Sequence, residues 1–102
     1  MAEPTEHQDI LPVLIVTDPK MVQALVHKDK CAILLQLIPA ERKIIELVDL
    51  CKINAGTIKR HLDDLMAVGL VSAPRISINR QNIKQKYYRA VARKFIVHLE
   101  IS

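Results

Sequence analysis

Two stretches of this sequence hold most of the side chains that can do chemistry. The first is Asn54, Gly56, Thr57, Lys59 and Arg60; the second is Arg75, Arg80, Gln81, Asn82, Lys84 and Lys86. Together they supply amide, hydroxyl, ammonium and guanidinium donors, the groups that recognise oxyanions. They include no nucleophile beside a base. Elsewhere, the only glycines are Gly56 and Gly69, too few for a phosphate-cradling loop, and carboxylates cluster only at Asp63-Asp64. The pattern is that of a binding protein, not an enzyme, and it calls for no cofactor.

Charge points the same way. The net charge of +4 is modest, but ten basic residues between Lys52 and Lys94 face only two acidic ones, Asp63 and Asp64. From Met1 to Cys51 there are five basic and eight acidic residues. A basic half beside an acidic half is the footprint of a polyanion binder; chance clustering on a solvated surface gives the same count. Aromatic residues make up 3% of the chain (Tyr87, Tyr88 and Phe95), too few rings to stack on single-stranded bases.

Metal and membrane chemistry find less support. Cys31 and Cys51 sit in apolar patterns with no CxxC or Cys-His cluster, and two cysteines build no disulfide framework, so a reduced cytoplasmic setting is the default. His7, His27 and His98 have no partners at metal-ligand spacing. His61 lies between an apolar and a polar helix face, where a structural histidine with satisfied hydrogen bonds is commoner than a ligand. The opening MAEPTEHQD is polar and acidic, unlike a signal peptide. The longest apolar runs, Leu11–Val16 and Ala32–Ile38, are too short to span a bilayer.

The elements that must position the two stretches follow from period and punctuation. Residues 1–9 read as a flexible tail and 10–102 as one domain. Leu11–Val16 suits a short strand, with Pro12 at its edge or start. Asp18-Pro19 opens a helix, with Asp18 as N-cap, that buries Val22, Leu25 and Val26. A second helix runs from about Asp29 to Ile38, with Ile33, Leu34, Leu37 and Ile38 inward, and Pro39 ends it. Glu41–Ile45 either opens the next helix or forms a short strand before it. Glu46–Cys51 is helical in both cases, with Leu47, Leu50 and Cys51 inward.

Asn54 suits the N-cap of a helix from Ala55 to Val68. Ile58, Leu62 and Leu65 fall on one side, with Met66 at its margin; Gly56, Lys59, Arg60 and Asp63 lie opposite, flanked by Thr57 and Asp64. Gly69 terminates it. Ser72–Ile78 and Ile83–Val91 are strand-like stretches around the turn-prone Asn79–Asn82. Phe95–Ile101 is a last strand or a short helix. The class is α+β, mainly α, in the order helix, turn, helix, hairpin.

At Glu46-Leu47-Val48-Asp49-Leu50-Cys51 and Thr57-Ile58-Lys59-Arg60-His61-Leu62-Asp63-Asp64-Leu65 through Gly69-Leu70-Val71, the chain resembles the ArsR-type winged helix-turn-helix repressors. Lys86-Tyr87-Tyr88-Arg89 resembles their returning wing strand. Val16-Thr17-Asp18-Pro19-Lys20 resembles the opening of archaeal members, so the likeness covers roughly residues 14–97. It implies a winged helix-turn-helix with a β-hairpin wing that binds double-stranded DNA and regulates transcription. The helix of about 55–68 would lie in the major groove and the wing of about 72–91 on the backbone or minor groove. In that setting Arg60 can donate bidentately to guanine, Lys59 serves base or phosphate, and Gly56 either lets a phosphate approach or is simply tolerated in a first turn. Metal-sensing members carry cysteines where this chain has Lys43, Ile45 and Val48, so the resemblance implies no thiolate metal site here.

Apolar residues at both ends of the chain, Leu11–Val16, Met21–Val26 and Phe95–Ile101, exceed what so small a domain can bury alone, and suggest a homodimer seam. The alternative function is a winged-helix module for protein–protein interaction, favoured by Asp63-Asp64 and the modest net charge. The sequence names no effector.

Overall fold

Asp18 accepts a hydrogen bond from the Lys20 N–H at 2.8 Å, and Pro19 fills the first helical position, so α1 (Pro19–Val26) starts where its capping residues predict. His27 closes that helix and caps the next, α2 (Lys28–Leu37), through its Nδ1, which accepts from Lys30 N–H at 3.3 Å. The computed structural model describes residues 10–101; the tail expected over 1–9 lies outside them. Its remaining elements are β1 (Leu14–Val16), α3 (Ile44–Cys51), α4 (Ala55–Ala67), β2 (Val71–Ile78), β3 (Lys84–Ala90) and β4 (Phe95–Val97).

The three-helix body encloses the core. Ile33 and Leu37 of α2, Leu47 of α3 and Ile58, Leu62 and Leu65 of α4 are fully buried, closed over by Leu70 and Tyr88. Two expected core residues are not there. Val26 is 74% exposed and Leu50 is 43% exposed, because each stands at the end of a short helix with no neighbour laid across it. Lys52 ends α3 in the left-handed region at φ 58°, with its N–H donating to Val48 O at 3.0 Å. This is a tight turn that glycine would enter with less strain.

Two segments left open between strand and helix take definite form. Arg42 makes an isolated bridge with Tyr88, its N–H donating to Tyr88 O at 3.0 Å and its carbonyl accepting from Tyr88 N–H at 2.8 Å. Only at Ile44 does α3 begin, so the 41–45 segment contributes a single strand-like pairing and then the helix. The last stretch is strand, not helix, but only over Phe95–Val97. It pairs parallel with β1, Leu14 opposite Phe95 and Val16 opposite Val97. β2 and β3 make the antiparallel hairpin, interrupted between Ser72 and Arg75, where Pro74 has no N–H to give the ladder.

Candidate nucleic-acid interface

The position of α4 is fixed from below and its upper face is left to solvent. Asn54 Oδ1 accepts from Thr57 N–H at 2.9 Å, so this amide is engaged in capping the helix that presents the other residues. Gly56 lies in the first turn, where an added Cβ would meet only Asn54 Oδ1 at 3.6 Å. Nothing inside the protein requires a glycine there. Thr57 is half-buried, and Lys59 and Arg60 are exposed. Lys59 Nζ binds both oxygens of Asp63, at 2.9 and 2.8 Å, one helical turn on, and this hydrogen bond, more than any other influence, raises its pKa. Arg60 stands free of any hydrogen bond or ion pair among the described residues.

The hairpin divides its cations in the same way. Arg75 Nε donates to Glu41 Oε1 at 2.8 Å, and its guanidinium carbon sits 3.7 Å from the Tyr87 ring centroid. Of the basic residues expected to face a ligand from the wing, Arg75 is thus the one with an acidic partner: it is exposed, but its charge is turned to Glu41, bracing the base of the hairpin. Arg80, Gln81, Asn82, Lys84 and Lys86 are exposed. Asn79 shapes the tip: its Oδ1 accepts from Gln81 N–H at 2.9 Å and Ile83 N–H at 3.0 Å, while Asn82 turns at φ 66°. Asn79 thus shapes the turn expected over Asn79–Asn82. Sequence reasoning missed Glu41, because the Glu41–Arg75 pair spans too much chain for any local signal.

Lys43, also missed, precedes α3 and its N–H donates to Glu46 Oε1 at 2.7 Å. Its Nζ lies 5.7 Å from the Tyr87 ring centroid, so it joins the cations gathered at the foot of the wing.

Two non-binding features complete the region. His61 is 8% exposed, and its Nδ1 is buried without a hydrogen-bond partner, so the expectation of a fully satisfied histidine fails at that atom. Its Nε2 lies 4.0 Å from Asp29 Oδ2. Burial first, then the neighbouring His27 and Lys30, lowers its pKa, which keeps it neutral at neutral pH. The Cys51 thiol is pushed up by burial and by Asp29, and so stays protonated. At the positions of the thiolate site of metal-sensing repressors, Lys43, Ile45 and Val48 line the start of α3. No three His, Cys, Asp or Glu side chains gather as a metal site among the described residues. No helix among them is long and apolar enough to cross a membrane.

Residues 27–73 match the family model of bacterial regulatory proteins of the arsR family. The fold is similar over part of its length to the solution structure of a homodimeric winged helix-turn-helix DNA-binding domain (fragment 1–100), Mb0332 from Mycobacterium bovis, a possible ArsR-family transcriptional regulator. The sequences are 28% identical with a TM-score of 0.57, over 71% of this chain and 61% of that one. It is also similar in fold to NolR from Sinorhizobium fredii, at 22% identity and a TM-score of 0.57, over 70% of this chain and 65% of that one. This chain therefore spans less than two thirds of either structure. No curated protein sequence matches it.

Proposed function

We propose that this chain, whose residues 27–73 match the arsR-family model and whose fold is similar to a winged helix-turn-helix DNA-binding domain, is a sequence-specific transcriptional regulator that binds double-stranded DNA as a homodimer. α4 enters the major groove with Gly56, Thr57, Lys59 and Arg60 nearest the bases, and Asn54 holds the helix end in place. Arg80, Gln81, Asn82, Lys84 and Lys86 of the wing lie on the backbone or in the minor groove, with Arg75 bracing the hairpin through Glu41. The observation that carries this reading is the division of α4. Ile58, Leu62 and Leu65 are fully buried while Arg60 stands in solvent on the opposite side, beside a hairpin with three exposed cations of its own, Arg80, Lys84 and Lys86.

The dimer seam runs along the ribbon formed by β1 and β4. Ile15 pairs with Ile96, and both are exposed, as are Leu11, Val13, Leu99 and Ile101. A two-stranded ribbon with apolar residues outward gains from a second copy, and the homodimeric state of the Mb0332 domain supports that occupant. The seam would hold two α4 helices about one DNA turn apart, roughly 34 Å. In this reading the unit is residues 10–102, preceded by a tail, acting in the cytoplasm without catalytic activity.

Fluorescence anisotropy against a pooled random duplex, repeated across salt concentrations, tests the DNA claim. Binding whose log affinity falls linearly with log salt supports it. No binding at micromolar protein and low salt points instead to a protein–protein module, to which the exposed Ile76, Ile78 and Ile83 of the wing would belong. Light scattering tests the seam: a monomer at high micromolar concentration that still binds DNA one-to-one overturns it.

A further inference from the structure

Between the wing, the start of α3 and α4 lies a groove of about 420 Å³. That volume falls in the range of small-molecule pockets, roughly 300–1,000 Å³. Four lysines stand on it: Lys43, Lys59, Lys84 and Lys86. Its walls are apolar, made by Ile44 and Ile45 from α3 and Ile76 and Ile83 from the wing, with Tyr88 behind. No carboxylate is among its lining residues, and only Lys59 has an acidic partner, Asp63. The hairpin register builds this alternation, because Ile76 lies opposite Lys86 and Ile78 opposite Lys84, and cross-strand partners project to the same face.

We propose that this lysine-rimmed, isoleucine-walled groove binds a small amphipathic anion, a molecule with one anionic head and an aliphatic body. The DNA reading accounts for the lysines and leaves the isoleucines unexplained. Ile45 is 68% exposed, Ile76 55% and Ile83 56%, and a duplex backbone offers them charge and water where they need apolar contact. A free phosphate satisfies the lysines alone, and a neutral hydrocarbon satisfies the isoleucines alone. An anion with an aliphatic body satisfies both at once, with the ammonium groups holding the head and the isoleucine walls covering the tail. Lys59, Lys84 and Lys86 are also proposed DNA contacts, so an occupied groove withdraws them from the duplex. The ligand is therefore an inducer that releases DNA. That regulatory consequence rests on the DNA-binding reading; filling of the groove does not.

Decanoate is the probe, titrated into the DNA-free protein while backbone amide shifts are followed by NMR. Acetate, with the head alone, and decyl maltoside, with the tail and a neutral head, are the controls. Saturable shifts centred on 44–45, 59, 76 and 83–86 are expected, with both controls at least tenfold weaker. Ile76→Ser and Ile45→Ser, two exposed sites outside the DNA contacts, each weaken decanoate about tenfold by removing aliphatic wall, and leave DNA affinity unchanged. The proposal is overturned if the shifts centre on Ile15 and Ile96, if either control matches decanoate, or if both variants bind decanoate as the parent does. Displacement of a labelled duplex by decanoate is read separately. A groove that fills without releasing a bound duplex overturns the inducer role, and a protein that never binds DNA still reports on the groove.

Discussion

The helix-turn-helix and the wing carry cations of the same kind on foundations of different kinds. α4 is seated by Ile58, Leu62 and Leu65, each with no exposed surface, so its orientation is set by close packing in the core. The hairpin has Tyr88 and Ala90 in the core at its base, while Ile76, Ile78 and Ile83 further out are exposed. What holds it beyond the core is polar: the Arg75–Glu41 pair and the stack on Tyr87 at its foot, and the Asn79 turn at its tip. A reading helix needs fixed aim, whereas a hairpin lying along a backbone can be held at its root and tip and still adapt between them.

The largest contrast between the two regions should come from a core truncation. Leu62→Ala should cost about 2–5 kcal/mol in chemical denaturation, and Ile78→Ala less than about 0.5 kcal/mol. Comparable losses at the two sites would mean that the wing is packed as tightly as the helix. Next in size is Arg60→Ala, expected to cost roughly 1–3 kcal/mol at one base position in each half-site, read by a binding selection. Equal weakening on every sequence would make Arg60 a phosphate contact.

Replacing Arg80 and Lys84 together by Ala should weaken all duplexes alike and shallow the log affinity–log salt slope by about one unit for each phosphate no longer neutralised. Arg75→Ala should leave that slope unchanged, since its charge faces Glu41. A shallower slope in the Arg75 variant would place its guanidinium on DNA. The smallest effect is pH dependence from His61, whose pKa is lowered in the fold. The unfolded chain then takes up the proton first, so the stability His61 contributes is present above its unfolded pKa, about 6.5, and declines as pH falls below it. Thermal melts from pH 7.5 to 5 should show that decline, reduced in His61→Leu; the same slope in both proteins assigns it elsewhere.

What the sequence made legible was local. Asp18, Asn54 and Gly69 mark helix boundaries through hydrogen bonds or backbone angles settled within a few residues, and all three stand where their chemistry put them. The Ile58/Leu62/Leu65 stripe was readable because it recurs within one helix. Val26 and Leu50 were misjudged because apolar spacing shows which face could be buried, not whether another element covers it. Arg75 was grouped with the other donors by type alone. Its partner is Glu41, distant in sequence, and that partner separates support from contact. The parallel pairing of β1 with β4 was invisible for the same reason, since neither strand holds any mark of the other.

That pairing has a kinetic consequence. Leu14 and Phe95 lie near opposite ends of the described chain, so pairing them closes a loop that spans most of the described residues, and its entropy cost favours forming the ribbon after the elements between. It gains few backbone hydrogen bonds for that closure, among them Leu14 N–H to Lys94 O and His98 N–H to Val16 O. The ribbon is then the last piece to fold and the first to open, and its amides should exchange with solvent well ahead of those in the middle of α4. If the seam lies on this ribbon, the surface that joins two copies matures only when each copy is complete, and a half-folded chain has nothing finished to offer a partner.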